Sequence, residues 1–369
     1  MVNGDRRWLQ SALASLEQEA ARSADTHLLR LDLPAFPGIV FYFKDEASHP
    51  TGSLKHRLAR SLFLYALCNG RLVEGQGVID ASSGSTAISE AWFARLLGLP
   101  FAAVMPEGTA PAKVRLIRAL GADCLLVPQE VDASIVARQC AAERGLCYLD
   151  QFGLAERATD WRGNNNIAES ILAQMAREAQ PIPAWIVCGA GTGGTSATIG
   201  RYVRYRRLDT RVCVAEPEGG AFAHGWRSRS PDARCSAVSV VEGIGRPRVE
   251  PGFVFDAVDA VLEITDADSI AAAWLLEELL GRRYGGSSGT NLAACLRLAE
   301  RMRDVGDGGS IVSLLCDRGE RYSETLFNRD WLAGRDIALD AGLAALRSRC
   351  SGLDSARAVS GSTPPGTTP

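Results

Sequence analysis

Lys55 is the side chain whose position in the sequence most clearly points to covalent chemistry. It follows a Pro-Thr-Gly-Ser turn at residues 50–53 and falls in the first turn of a predicted helix whose apolar face carries Leu54, Leu58 and Leu62. The dipole at the start of a helix disfavours a cation and therefore favours the free amine, which can form a Schiff base with an aldehyde. The competing interpretation is an ordinary solvated lysine, which is the commoner case for any single lysine.

A cluster of hydroxyl groups follows a short predicted strand at residues 78–80. Its residues are Ser83, Gly84, Ser85 and Thr86. Hydroxyl groups and open backbone N–H groups at the start of a helix can together bind a carboxylate. The alternative is a plain helix N-cap with a turn glycine, which is the commoner explanation for such a stretch on its own.

A glycine-rich turn lies between a predicted buried strand at residues 185–188 and a predicted helix at 196–206. Its residues are Gly191, Thr192, Gly193, Gly194 and Thr195. Bare backbone N–H groups at a helix start can hold a phosphate. The spacing also fits G-x-G-x-x-G, and Glu216 closes the next predicted strand roughly 20 residues on, as a dinucleotide site requires. The local sequence therefore allows a dinucleotide pyrophosphate, a single cofactor phosphate or a simple packing turn.

Asp317 and Arg318 stand directly after the last predicted strand, at residues 311–315. Such a polar pair can contact a bound ligand, and a solvent-facing helix start explains it equally well. Like Lys55 and the two turns, the pair lies at a junction where clefts form in α/β proteins. A nucleophilic lysine, a carboxylate-binding turn and a phosphate-binding turn together fit an amino acid joined to a phosphorylated aldehyde. That combination is the chemistry of pyridoxal phosphate.

The elements that must position these residues alternate between short apolar runs and helical patterns. The alternation extends from residue 78 to residue 150 and again from 185 to about 331, and includes a predicted helix at 266–280. Alternating strands and helices predict an α/β fold of two lobes with mainly parallel, twisted sheets. The site is then expected in the cleft between the carboxyl ends of the strands. Residues 151–168 are polar and predict an irregular connection.

Composition and charge exclude several classes of function. The net charge of −3 and the lack of a basic run give no basis for binding nucleic acid. No apolar stretch is long enough to span a membrane, and the N-terminus lacks the apolar core of a signal peptide. Ten cysteines without a C-x-x-C pair indicate buried thiols of a reducing cytoplasm, and four histidines without ligand spacing predict no metal site.

Seven ordered segments of this chain resemble the cysteine synthase and cystathionine β-synthase family, the fold-type II pyridoxal-phosphate enzymes. The segments are residues 50–55 (cofactor lysine), 83–86 (substrate-carboxylate loop), 151–152 (a glutamine facing that carboxylate), 191–195 (phosphate loop, matched residue for residue), 243–245, 286–289 and 319–322. The resemblance covers about residues 25–332, and so many motifs in the same order are very specific.

The resemblance implies a cofactor, a fold and a set of roles. Pyridoxal 5′-phosphate would join Lys55 and contact Ser85, and its phosphate would lie on residues 191–195. The substrate carboxylate would contact Ser83, Gly84, Thr86 and Gln151. The implied fold is tryptophan synthase β-like, with a smaller mobile domain at 45–152 and a larger one at 8–44 and 153–335. The composition of residues 351–369, rich in Gly, Ser, Thr and Pro, separately predicts a disordered tail. The implied assembly is a homodimer that acts on a small amino acid. The dinucleotide interpretation is then wrong, and Glu216 is an ordinary acid at the end of a strand.

Three departures from the family bear on the reaction. Ser85 stands where cysteine synthases usually have an asparagine that contacts the cofactor. Near the pyridine nitrogen, Arg318 stands where Ser or Thr is usual. An arginine facing that nitrogen would keep the ring unprotonated, whereas Asp317 would favour the protonated ring. The sequence leaves open which of the two side chains faces the ring. Residues 158–166 also differ and are expected to line the substrate entrance.

With these departures the chain looks most like bacterial L-cysteine desulfhydrases of this family. The implied reaction is β-elimination on L-cysteine to sulfide, pyruvate and ammonia, with Lys55 as the catalytic residue that removes the Cα proton. The alternative is β-replacement, in which a nucleophile takes the place of the leaving group of an activated serine to make cysteine or an analogue. An inactive cofactor-binding homologue is disfavoured, since Lys55 and the phosphate loop are intact.

Overall fold

Two β-sheets, each packed against helices, organise the chain in the computed structural model, which describes residues 3–22, 25–236 and 239–351. The strands, in chain order, are β1 (Leu28–Leu31), β2 (Ile39–Asp45), β3 (Val78–Ala81), β4 (Phe101–Pro106), β5 (Asp123–Val127), β6 (Cys147–Tyr148), β7 (Trp185–Gly189), β8 (Arg211–Pro217), β9 (Ala260–Ile264) and β10 (Gly309–Leu315).

The larger sheet has six strands in the order β1-β2-β10-β7-β8-β9. Only β1 runs antiparallel to its neighbour; in this sheet the other pairs are parallel. Val312 in the central strand β10 lies opposite Tyr42 on one side and Ile186 on the other. Helices cover both faces of such a sheet, which explains why its strands read as nearly continuous apolar runs.

The smaller sheet has four parallel strands in the order β5-β4-β3-β6. In its register Val78 of β3 lies opposite Phe101 of β4 and Cys147 of β6. The α/β class with mainly parallel sheets is therefore confirmed. The carboxyl end of β3 leads directly into the hydroxyl-rich turn at residues 82–84, and that of β7 leads into the glycine-rich turn.

The helices connect these strands. In chain order they are α1 (Asn3–Ala21), α2 (Lys55–Cys68), α3 (Ser85–Leu96), α4 (Pro111–Ala119), α5 (Ala133–Arg144), α6 (Gln151–Ala158), α7 (Ile167–Met175), α8 (Gly194–Arg206), α9 (Ala221–Ser228), α10 (Asp266–Leu280), α11 (Gly286–Asp304), α12 (Arg329–Ala333) and α13 (Leu339–Ser351). Within the described ranges, none has the length and apolar character that crossing a bilayer requires.

Local capping explains which helix bounds the sequence could predict. The predicted helix at residues 266–280 matches α10 residue for residue, because the Thr265 hydroxyl accepts a hydrogen bond from the Asp268 N–H and Gly281 ends the helix in the left-handed region. The expected irregular connection at 151–168 holds for residues 159–166, whereas α6 occupies residues 151–158 and α7 begins at residue 167. Asp150 caps α6, and the Asn166 side chain caps α7 through the N–H groups of residues 168 and 169.

The first helix packs in a different lobe from the one that the predicted domain bounds give it. Residues 8–44 were expected with the larger lobe, and β1 and β2 do join the larger sheet. Ala12 and Leu16 of α1, however, are buried with Leu62 and Phe63 of α2 in the core of the smaller lobe. The periodicity of α1 marks an apolar face but not the surface that covers it. The predicted disordered tail begins at the last residue of α13, and residues 352–369 lie outside the described ranges.

Candidate active site

A cavity of about 670 Å³ lies between the two lobes. The predicted site residues that line it are Lys55, Ser83, Gly84, Ser85, Thr86, Gln151, Gly191, Thr192, Gly193, Thr195 and Asp317. They come from five separate stretches of the chain, which meet because each follows the carboxyl end of a parallel strand or begins a helix beside one. Two predicted residues, Gly194 and Arg318, are not among the lining residues.

Two backbone hydrogen bonds place Lys55 at the wall of this cavity. The Leu54 N–H donates to the Cys316 carbonyl at 2.8 Å, and the Arg318 N–H donates to the Gly52 carbonyl at 3.1 Å. They join the turn before α2 to the end of β10, so Lys55 at the first position of α2 lies near Asp317. Burial lowers the pKa of the Lys55 ammonium, whereas the neighbouring Cys316 and Asp317 act in the opposite direction. Desolvation is therefore the main reason that the free amine is favoured.

A buried ion cluster behind α2 holds the helix start in place. The Arg57 Nε donates to Glu46 at 2.7 Å, and its Nη2 donates to Asp25 at 2.8 Å. The Glu46 carboxylate is fully buried, and it also accepts from the Thr26 hydroxyl at 2.7 Å and faces His49 Nε2 at 3.0 Å. Although burial opposes ionisation, Arg57 and His49 hold the pKa of Glu46 below its usual range. The charged carboxylate is thus satisfied on several sides.

The hydroxyl-rich turn is stabilised by its own first serine. The Ser82 hydroxyl accepts from the Gly84 N–H at 3.3 Å and from the Ala87 N–H at 3.2 Å. The first N–H groups of a helix have no partner within it, so those of the remaining turn residues are suited to an anion in the cavity. Gln151 opens α6 beside this turn, where its Nε2 donates to the Ala81 carbonyl at 2.7 Å.

The glycine-rich turn must be glycine because the backbone of other loops approaches it closely. A Cβ on Gly191 would lie 2.3 Å from the Gly243 carbonyl, and one on Gly193, which has φ of +82°, would lie 2.5 Å from the backbone of Phe253. Such contacts exclude every larger residue. Gly191 and Gly193, in the turn that leads into α8, therefore line the cavity with bare backbone.

Gly194 lines a smaller cavity, of about 60 Å³, which shares Lys55, Thr192 and Thr195 with the larger one. The segment at residues 158–166 was expected at the substrate entrance. Residues 159, 160 and 163–166 instead line this smaller cavity, because Arg57 Nη1 donates to the Asn165 carbonyl at 2.9 Å and ties the segment to α2.

Asp317 and Arg318 point in different directions. The Asp317 side chain lines the cavity and is buried; its Oδ2 accepts from the Tyr322 hydroxyl at 2.6 Å, whereas its Oδ1 is buried without a partner in the described residues. The Arg318 Nε donates to the Ala47 carbonyl at 3.0 Å. The placement of Arg318 at the cofactor site is therefore wrong, because its guanidinium holds the loop before residue 50.

Ser85 is also engaged from the other lobe. Its hydroxyl accepts a hydrogen bond of 2.7 Å from the Arg321 Nη1. Arg321 thereby connects the hydroxyl-rich turn of the smaller lobe to the segment after β10. A serine here is part of a bridge between lobes.

Glu216 cannot serve as the ribose-binding acid of a dinucleotide site. Its carboxylate accepts from the Phe222 N–H at 2.9 Å and from the Ala223 N–H at 2.6 Å, so both oxygens cap α9. The side chain is fully buried, and burial raises its pKa to about 7. The expectation that Glu216 is a structural acid at the end of β8 agrees with these contacts.

Charged residues that the sequence did not single out line the cavity or lie close to its wall. Lys113 pairs with Glu242, and Arg248 donates to Asp132 at 3.1 Å; each pair joins the smaller lobe to the larger. The Arg246 guanidinium lies 4.5 Å from the centre of the Phe152 ring. Such charges look like ordinary surface residues in the sequence, and only the approach of the lobes brings them together.

The residues present fit pyridoxal phosphate in three respects. A desolvated lysine amine lines the cavity, a glycine turn without side chains begins a helix beside it, and an unpartnered carboxylate oxygen lies near that lysine. These groups are suited to an aldehyde, a phosphate and a ring nitrogen, respectively.

Comparison with known proteins gives the same picture. Proteins described as "Pyridoxal-phosphate dependent enzyme" match residues 22–317. L-cysteine desulfhydrase Cds1 of Mycobacterium tuberculosis is 54% identical over 336 residues, which are 90% of this chain and 91% of that protein. A cysteine synthase of Dictyostelium discoideum is 28% identical over 324 residues, covering 84% of this chain and 83% of that protein. The solved structure of O-ureido-L-serine synthase has a TM-score of 0.73 at 27% identity and covers 84% of this chain and 96% of that one.

Arg57→Ala should destabilise the protein by about 3–5 kcal/mol, because it leaves the Glu46 carboxylate buried without its main partner. Urea unfolding followed by circular dichroism measures this change. The matched control is Arg30→Ala, which removes an arginine from an exposed pair with Asp32 and should leave the unfolding midpoint almost unchanged. Equal effects of the two substitutions would contradict a structural role for the buried cluster.

Proposed function

Because the chain belongs to the family of pyridoxal-phosphate dependent enzymes, we propose that it eliminates the β-substituent of L-cysteine and so releases sulfide, pyruvate and ammonia. The observation that carries this proposal is the 54% identity to an L-cysteine desulfhydrase over nine-tenths of the chain. Cysteine synthases are much more distant, at 28% identity for the Dictyostelium discoideum protein. Elimination is therefore favoured over β-replacement.

When bound, pyridoxal phosphate supplies an electron-withdrawing ring that stabilises negative charge at the substrate Cα. The residues that would hold it are Lys55 at the aldehyde, the glycine-rich turn with Thr195 at the phosphate, and Asp317 at the ring nitrogen. The last assignment is supported by the unpartnered Oδ1 of Asp317 in the cavity wall and by the orientation of Arg318 away from it. A carboxylate there would favour a protonated ring, which withdraws electrons more strongly.

Lys55 is proposed to move the protons of the reaction. Its buried amine has a lowered pKa, so at neutral pH it gives up its own proton more readily than an exposed lysine. A free Nζ can accept the proton from the substrate Cα and later return it.

The substrate carboxylate is proposed to lie on the first turn of α3. The Ser83 and Thr86 side chains and the N–H groups of that turn face the cavity, and Gln151 faces it from α6. The positive end of the α3 dipole adds to this attraction. The bound amino acid would then present its Cα towards Lys55.

We also propose that the protein acts as a homodimer in the cytoplasm. The resemblance to the family supports the dimer. The buried thiols Cys188, Cys213 and Cys295 are not in disulfides, which suits a reducing compartment. Light scattering at two protein concentrations tests the dimer, and a monomer mass at both would contradict it.

Incubation of the holoenzyme with L-cysteine alone should yield equal amounts of pyruvate and sulfide, measured by a coupled dehydrogenase assay and a sulfide dye. Lys55→Ala should abolish turnover while circular dichroism shows the fold retained, because it removes the amine proposed to move the Cα proton. Lys113, which also lines the cavity, is paired with Glu242. If product forms only from O-acetylserine with a thiol, the enzyme catalyses β-replacement and the proposed elimination is wrong.

Thr195→Val should raise the dissociation constant for pyridoxal phosphate about 10- to 100-fold, because a hydrogen bond to a charged group contributes about 1.5–3 kcal/mol. Absorbance titration of the apoprotein measures this constant. Thr198→Val is the matched control, since its hydroxyl donates within α8 to the Gly194 carbonyl at 2.8 Å. Full cofactor affinity in Thr195→Val would exclude its hydroxyl as a phosphate ligand.

Asp317→Asn should lower kcat about 100-fold and change the visible absorption of the holoenzyme, because a neutral amide no longer favours the protonated ring. Arg318→Met should leave the absorption band in place, since its guanidinium contacts the Ala47 carbonyl. Absorption spectra recorded across pH compare the two variants. A band that shifts in Arg318→Met but not in Asp317→Asn would reverse the assignment.

A further inference from the structure

Two buried carboxyl groups lie beneath the loop that we propose binds the substrate carboxylate. Asp80 stands in β3 and Glu90 in α3, and both residues are completely buried. Neither is among the residues that line the cavity, and the proposed reaction uses neither. Burying two acids side by side costs free energy unless both are satisfied. The contacts of Asp80 and Glu90 should therefore show how this cost is offset.

Asp80 joins two segments that lead into the site. Its Oδ1 accepts from the Ala81 N–H at 2.8 Å, and its Oδ2 accepts from the Gln151 N–H at 3.1 Å. The Gln151 side chain donates back to the Ala81 carbonyl at 2.7 Å. One carboxylate therefore connects the end of β3, which leads into the hydroxyl-rich turn, to the start of α6, which carries the glutamine.

Glu90 has no satisfactory partner unless it carries a proton. Both oxygens of its carboxyl are buried, and neither meets a donor in the described residues. The Asp80 carboxyl lies within hydrogen-bonding reach of it. Burial and the negative charge of Asp80 raise the pKa of Glu90 well above its usual range. Since Asp80 already accepts two N–H bonds, Glu90 is the member of the pair that holds the proton.

We propose that Glu90 is a positioning residue: it stays protonated, donates its O–H to Asp80, and thereby sets the position of the substrate-carboxylate loop. Glu90 stands on the helix whose first turn carries Ser85 and Thr86, whereas Asp80 stands on the strand that enters the same turn. The hydrogen bond between them fixes α3 to β3, and Asp80 extends the connection to Gln151. This inference rests on the proposed function, because it assumes that the loop and Gln151 bind the substrate carboxylate.

Two substitutions of Glu90 test the proposal in the holoenzyme. Glu90→Gln keeps a donor for Asp80, whereas Glu90→Met has a similar length and no donor. L-alanine, which has the amine and the carboxylate but no β-leaving group, is titrated while visible absorbance is followed. We expect its dissociation constant to rise about tenfold or more in Glu90→Met, because small displacements of positioning groups have large effects, and to stay near the wild-type value in Glu90→Gln.

Steady-state kinetics with L-cysteine should also distinguish the two variants. In Glu90→Met the KM should rise by a larger factor than kcat falls, and in Glu90→Gln both should stay near the wild-type values. Infrared spectra of the wild type should contain the carbonyl band of a buried carboxylic acid, and Glu90→Gln should lack it. Loss of affinity in Glu90→Gln equal to that in Glu90→Met, unchanged affinity in Glu90→Met, or the absence of that band would each overturn the proposal.

Two further outcomes are separable. If Glu90→Met does not fold, Asp80→Asn takes its place, because an amide offers one acceptor oxygen to the two N–H groups of residues 81 and 151; unchanged L-alanine affinity in a folded Asp80→Asn overturns the proposal. If the wild type does not eliminate sulfide from L-cysteine, the proposed function fails. The L-alanine titration still decides the role of Glu90 in that case, since it needs no turnover.

Discussion

The two backbone hydrogen bonds between the turn at residues 52–54 and the end of β10 are the interaction on which the site depends. They attach the start of α2, which packs in the core of the smaller lobe, to the central strand of the larger sheet. Lys55 is at the attached end, so its amine is buried beside Asp317. A lysine on a freely exposed helix start would keep its ordinary pKa and would be a poor base at neutral pH.

Buried charge is used repeatedly to hold backbone segments around this attachment. The Glu46 carboxylate, paired with Arg57, holds α2 from behind, and the Asp80 carboxylate joins β3 to α6. Glu216 caps α9 in the larger lobe. In each case an acid that would be unstable alone in the interior accepts several donors. Each contact therefore constrains geometry, because any displacement leaves a buried polar group without a partner.

Local sequence was a good guide wherever a single segment carries its own signal. The bounds of α10 follow from the Thr265 cap and Gly281, and the carboxyl-end turns after β3 and β7 follow from their serines and glycines. The prediction for Arg318 failed, because it concerns a contact with a distant segment. Helix α6 and the start of α7 within residues 151–168 were missed, although Asp150 and Asn166 cap them locally. No sequence pattern indicates that the Arg318 side chain donates to the Ala47 carbonyl, or that α1 packs on the smaller lobe.

The sequence by itself determined the family of the protein, its cofactor chemistry and the α/β alternation, because these depend on residue types at fixed spacings along one segment. Only the tertiary structure decided that Asp317 and not Arg318 lines the cavity, that the Glu216 carboxylate caps α9, and that Glu90 lies next to Asp80. Side-chain direction, burial and the proton balance of paired acids arise from the packing of segments far apart in the chain. No local pattern encodes them.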